Sequence, residues 1–187
     1  MRRSGVAAML VVASAVLAGC AEPAPLDPLT ECVNWTWDGD LRALAEQIAE
    51  QARADGVEIG DVTVSGSLGF ASTASGGFGV VANSVFRYLA TIDGVEVPLS
   101  QEFTGEWSGR WSWADTPDAT VGKAELTLDD GAAIGVVTLP ASGAGAEEAR
   151  NLAVPFQSDA PLQFTCDDSG LTIQQDGDPL VTRWSRL

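Results

Sequence analysis

From Val57 onward, apolar side chains in this chain recur at every second residue. D-V-T-V-S-G-S-L-G-F, residues 61–70, sets Val62, Val64, Leu68 and Phe70 on one side and Thr63, Ser65 and Ser67 on the other. A helix repeats every 3.6 residues and would scatter these positions around its circumference, whereas a strand collects them on one face. Turn residues cut the pattern into segments: S-G-G at 75–77, D-G at 93–94, A-D-T-P-D at 114–118 and D-D-G at 129–131. The spacing predicts strands over 78–92, 95–99 (bent at Pro98), 101–113, 121–128, 132–139, 152–157, 162–166, 171–175 and 180–186. Asp93-Gly94 predicts a tight type I′ hairpin, and Asp129-Asp130-Gly131 predicts a second hairpin, joining 121–128 to 132–139. Between 140 and 151 lies a polar loop with one helical turn expected at Glu147–Arg150. Together these indicate a mainly β fold: an antiparallel β-barrel or meander of about nine strands.

Ahead of this region, C-V-N-W-T-W (32–37) alternates, with Val33, Trp35 and Trp37 on one side, and reads as a short first strand. Asp38 or Asp40 can cap the helix that follows. Leu41, Leu44, Ala45, Ile48 and Ala52 then recur at helical spacing until Gly56. This predicts one packed amphipathic helix of about four turns.

The most distinctive stretch is F-T-G-E-W-S-G-R-W-S-W, 103–113. Phe103, Trp107, Trp111 and Trp113 share one strand face with Gly105 and Gly109 between them. Three indoles and a phenyl bury a large apolar area. They can fill the interior of a barrel, line a cavity for an apolar ligand, or form an exposed platform on which a sugar stacks. Aromatic strand faces belong to the core more often than not.

The first thirty residues carry a different message. Arg2 and Arg3 precede an apolar run, Val6 to Leu17, interrupted only by Ser14. That is secretory signal anatomy, and the run is shorter than the roughly 18–20 residues that span a bilayer. L-A-G-C, residues 17–20, resembles the lipobox of bacterial lipoproteins. The resemblance implies cleavage before Cys20, a diacylglyceryl group on its sulfur, and attachment to the outer face of the bacterial cell membrane. Two acyl chains suffice for stable anchoring at about 0.8 kcal/mol per buried methylene. A-E-P-A-P-L-D-P-L-T-E, residues 21–31, carries three prolines and reads as a stiff tether. The expected organisation is a signal peptide over 1–19, lipidated Cys20 and tether over 20–31, and a single β-rich domain over 32–187.

Charge and composition narrow the function. The chain has 26 acidic and 10 basic residues; removing residues 1–19 takes away Arg2 and Arg3, leaving 8 − 26 = −18. Such a surface repels nucleic acid. There is no histidine, the usual general base and commonest metal ligand at neutral pH, so Ser-His-Asp and Cys-His chemistry is excluded. The carboxylate pairs Asp129-Asp130, Glu147-Glu148 and Asp167-Asp168 sit in turns and point to different sides. No cofactor or metal is expected, W-D-G-D and Q-D-G-D lacking EF-hand spacing. With Cys20 lipidated, Cys32 and Cys166 remain as an even pair in an oxidising compartment, and a disulfide between them is expected.

Trp35 and Trp37 near the start, and R-W-S-R (183–186) near the end, make the domain similar to lipocalin-like barrels. That resemblance implies that Trp35 or Trp37 closes the barrel floor with Arg183 or Arg186 lying across it in a cation–π contact. It also implies a carrier or binding module more often than an enzyme. The expectation is therefore a monomeric, membrane-anchored, non-catalytic module binding a small apolar or amphiphilic ligand among Phe103, Trp107, Trp111 and Trp113. The alternative is a solid-cored envelope protein that meets another protein or a cell-wall glycan through its surface.

Overall fold

The structure, a computed structural model, describes residues 25–131, 133–140, 152–155 and 160–187. Nine strands form one antiparallel sheet: β1 (Thr36–Gly39), β2 (Glu58–Ser72), β3 (Gly77–Ile92), β4 (Val95–Trp113), β5 (Val121–Leu128), β6 (Ala133–Pro140), β7 (Leu162–Asp167), β8 (Gly170–Gln175) and β9 (Val181–Arg186). Two helices accompany them, α1 (Pro28–Val33) and α2 (Leu41–Ala54). Neighbours run β3-β2-β1-β9-β8-β7-β5-β4, and β4 pairs back onto β3, so the sheet closes on itself as a barrel. Alternation does what the sequence demanded of it. Along β3, Phe78, Val80, Ala82, Ser84, Phe86, Tyr88 and Ala90 are buried, while Val81, Asn83 and Arg87 face out. Asp93 and Gly94 both have positive φ, 52° and 77°, as a type I′ turn requires.

Four local expectations are corrected. The stretch 32–37 is not one strand. Asp27 caps a helix, accepting from the Thr30 N–H at 2.8 Å, and Pro28 starts it with a preset φ. Leu29 and Val33, four residues apart on that helix, are buried, and β1 begins only at Thr36. Residues 28–31, read as tether, thus fold as part of the domain, and a second helix joins the expected one.

The hairpin expected at Asp129-Asp130-Gly131 is not there. β5 pairs β4 over Gly109–Trp113 and β6 pairs the same edge of β4 over Leu99–Glu106. Both run antiparallel to β4, so β5 and β6 are collinear, one long strand interrupted by a bulge. The Asp129 N–H donates to the Ser108 carbonyl at 2.9 Å, holding the chain to β4, and Gly131 takes the positive φ of 82°.

Strands 95–99 and 101–113 are a single strand through Pro98. Pro98 lies opposite Leu89, one residue beyond Leu99, where the β6 ladder stops, so its missing N–H leaves no ladder bond unmade. Leu152–Pro155, expected as the start of a strand, is irregular. Leu152 is buried, and the Ala153 carbonyl accepts from Gln101 Nε2 at 3.2 Å rather than from a neighbouring strand. Residues 156–157 and the helical turn at Glu147–Arg150 lie outside the described residues.

β1 has only four residues and pairs β2 at Thr36–Asp38 alone, leaving most of that edge of β2 without a strand. α2 occupies the space, packing against β2 and β9 with Leu44, Ala45, Ile48, Ala49 and Ala52 buried. Its Gln47 amide donates to the Val181 carbonyl and accepts from the Val181 N–H, each at 2.9 Å. That side chain makes the two bonds a strand neighbour would have made.

Candidate functional site

Three places were candidates by sequence or emerge from the fold: the aromatic interior, the closed floor of the barrel, and the outer surface beside β1 and β9.

The inner face of β4 delivers its aromatics to one continuous apolar core, at different levels along the strand. Phe103 packs on Phe86, ring centroids 4.9 Å apart, in one half of the interior. Trp107 meets Phe78 edge-on at 5.6 Å, and Trp111 meets Trp113 edge-on at 4.7 Å, in the other. Phe164 from β7 lies 6.4 Å from Trp111 and 5.8 Å from Trp113, and Trp184 of β9 reaches Phe70 at 5.7 Å. Three of these indole N–H groups are spent inside the protein. Trp111 Nε1 donates to Ser72 Oγ at 2.9 Å, Trp113 Nε1 to Thr30 Oγ1 at 2.8 Å, and Trp184 Nε1 to Thr182 Oγ1 at 2.9 Å. The space between Phe70, Phe78, Trp107, Trp111, Phe164 and Trp184 amounts to about 10 Å³. One water needs about that much, whereas ligand pockets run to roughly 300–1,000 Å³. Of the four residues expected to line one cavity, Trp107 and Trp111 border this small gap, Trp113 lies edge-on to Trp111 and Phe164 beneath α1, and Phe103 packs further along β4 on Phe86.

The other half of the interior holds two orphaned polar atoms. Tyr88 Oη and Gln101 Oε1 are buried without a hydrogen-bond partner. Tyr88 lies opposite Leu99, and Gln101 opposite Phe86, with the Arg87–Ser100 pair between them, so the two inward side chains occupy successive inward-facing rungs of one ladder. Burial alone pushes the Tyr88 phenol far above its ordinary value.

At the floor, Trp37 is fully buried, and its Nε1 donates to the Val33 carbonyl at 3.2 Å. The Arg186 guanidinium lies 5.3 Å from the Trp37 ring centroid and 5.4 Å from that of Trp35. Arg186 thus lies within cation–π range of both rings. Trp35 stays outside, 51% exposed, and Arg183 lies on neither ring but on the outer surface. Cys32 and Cys166 are joined in a disulfide with Cα atoms 6.0 Å apart, pinning the end of α1 to β7.

The site that sequence reasoning missed is an outer groove of about 600 Å³, bordered by Asp38, Asp40, Ser67, Ser169, Arg183 and Ser185. Its residues come from four distant segments, and no local pattern signals them. Gly66, at φ 101°, leaves bare backbone in this wall, because a Cβ there would run into the Asn83 carbonyl. Asp40 also accepts from the Ala43 N–H at 2.9 Å as the α2 cap.

The acidic turns have structural duties. Ser169 donates to Asp167 through its hydroxyl and its N–H, at 2.5 and 2.7 Å, and these bonds hold that carboxyl below its ordinary value. Asp176 pairs with Lys123, and Asp178 accepts from the Leu180 N–H at 2.9 Å. Among the described residues, no three Cys, Asp or Glu side chains gather in a way that could hold a metal ion.

No protein-family model matches the chain, and neither a curated protein nor a solved structure matches it. The fold itself defines the class: a closed antiparallel barrel, disulfide-tied, with a helix completing its wall.

Proposed function

We propose that this chain is an exported lipoprotein, held to the outer face of a bacterial membrane through Cys20, that works through its outer surface on another envelope component. The observation that carries this reading is the contrast in space: about 10 Å³ behind the tryptophans against about 600 Å³ in the groove at Asp38, Asp40 and Arg183. Carboxylates, serine hydroxyls and one guanidinium, set beside Leu41 and Trp184, suit a hydroxyl-rich glycan or a polar protein segment, since each polar group can donate or accept a hydrogen bond. The residues that made an internal apolar ligand attractive are packed against one another, with at least three indole N–H groups already bonded within the protein.

Two measurements test the proposal. Mass spectrometry of the native product should find a diacylglyceryl thioether on Cys20; an unmodified sulfur there overturns the anchor. Tryptophan emission titrated with fatty acids should stay unchanged, while soluble cell-wall glycan fragments bind and Arg183→Glu weakens that binding at least tenfold. A saturable spectral shift with fatty acid would instead favour a carrier of small apolar ligands.

A further inference from the structure

The register of the barrel gathers one set of features at one end. Thr36 of β1 pairs with Ala71, Phe78 with Gly109, Val121 with Thr165 and Asp167 with Gly170. The start of β1 and the ends of β2, β4 and β7 therefore lie together, and α1, the Cys32–Cys166 bridge, Trp35 and Arg186 lie with them. The Asp93-Gly94 turn is at the opposite end. We infer that the end carrying Trp35 and Arg186 rests on the lipid headgroups of the bilayer, with the Trp35 indole in the interface and the Arg186 guanidinium on a phosphate. This inference rests on the Cys20 anchor proposed above.

Chain length sets the orientation. From Cys20 to Asp27, where the helix cap begins, the backbone reaches at most about 25 Å even fully extended. β3, with 16 residues, runs about 50 Å along the wall. At the roughly 40° tilt of barrel strands, its two ends are about 40 Å apart along the axis. A tether of that length cannot turn the Asp93-Gly94 end towards the membrane, whereas it places the Trp35 end within easy reach.

Chemistry agrees with reach. Trp35 is 51% exposed and is not needed to close the floor, a task Trp37 performs from full burial. An indole with an apolar face and one N–H is the side chain that favours a membrane–water interface. Stacked on it is Arg186, which no carboxylate pairs among the described residues; its planar fork matches a phosphodiester. The exposed acids Glu31, Asp115, Asp118, Asp167 and Asp168 at the same end oppose anionic headgroups, so the contact is strongest on a zwitterionic surface.

The test uses the full lipidated chain in phosphatidylcholine vesicles brominated near the top of the acyl chain. Flotation with the vesicles reports the anchor, and bromine quenching of tryptophan reports the docking. Quenching should be present, and Trp35→Phe should remove most of it. A tryptophan introduced at the far turn, Val95→Trp in the Trp35→Phe background, should restore none. Arg186→Gln, which leaves the indole in place, should reduce quenching about twofold or more. Flotation with quenching that Trp35→Phe does not change, or with quenching from Val95→Trp, overturns the docking alone. Failure to float overturns the anchor and the docking together.

Discussion

The Gln47 amide and the Val181 backbone exchange two hydrogen bonds, each 2.9 Å long. β9 is paired with β8 through Val181, but β1 covers its other edge only at Trp184–Arg186. At Val181 that edge would be bare, and a helix side chain of the right length supplies a donor and an acceptor in the places a peptide group would.

Gln47→Ala should therefore cost about 1–3 kcal/mol, because it leaves a partly buried carbonyl and N–H unmatched rather than removing one contact. Gln47→Glu keeps the acceptor and loses the donor, so it should fall between the two. Urea unfolding of the three proteins measures this; equal midpoints would show that water replaces the amide without loss.

Gly122 sits where α1 presses on the barrel. A Cβ placed there would come 2.6 Å from Leu29 Cδ2, 2.8 Å from Trp113 Cζ3 and 2.9 Å from Pro117 Cβ. All three approaches are closer than a Cβ tolerates, so neighbouring side chains must shift to admit it. Gly122→Ala should destabilise by about 1–3 kcal/mol, and Leu29→Ala combined with it should recover part of that loss by opening space. Additive effects in the double variant would refute the crowding explanation.

The long elements were legible because each repeats one period many times. β3 and α2 lie within a residue or two of their expected bounds, β2 begins three residues ahead of the alternating stretch at 61–70, β4 joins two expected strands into one, and the Asp93-Gly94 turn has the backbone its two residues favour. Cys32 and Cys166 were an even pair once Cys20 was set aside. What failed were elements too short to show a period, and choices made by tertiary partners. Where α1 passes into β1, Val33, Trp35 and Trp37 imitate one continuous strand, while the helical pair Leu29 and Val33 straddles the supposed end of the tether. Asp129-Asp130-Gly131 suits a hairpin turn and a bulge equally well; the continuous edge of β4 selects the bulge. The outer groove has no sequence signature, since Asp38, Ser67, Ser169 and Arg183 meet only through the sheet.

The bridge between Cys32 and Cys166 spans 134 residues of sequence. In the chain-entropy view, closing so long a loop destabilises the unfolded state by about 5 kcal/mol. The double variant Cys32→Ser, Cys166→Ser should lower the urea midpoint accordingly. It should also steepen the dependence on urea, because the opened chain expands further on unfolding. A midpoint that falls with no change in slope would locate the effect in the folded state, at the α1–β7 junction.

Tyr88 gives the fold an alkaline limit. Its phenol is buried without a hydrogen-bond partner, and burial raises its pKa well above the ordinary 10.0, so the folded protein holds this proton where the unfolded chain releases it. The stability tied to the proton is complete below pH 10 and is lost as pH rises beyond it. Tyr88 is the chain's single tyrosine, which makes absorbance at 295 nm a report on this group alone. Tyrosinate should appear only together with loss of the native circular dichroism, in one transition above pH 10. Tyr88→Phe should shift that transition upward while changing stability at pH 7 by no more than about 1 kcal/mol, because the deleted hydroxyl bonds to nothing. A reversible tyrosinate signal near pH 10 in a protein that keeps its native spectrum would mean that the phenol reaches water, and the burial assigned to Tyr88 would be wrong.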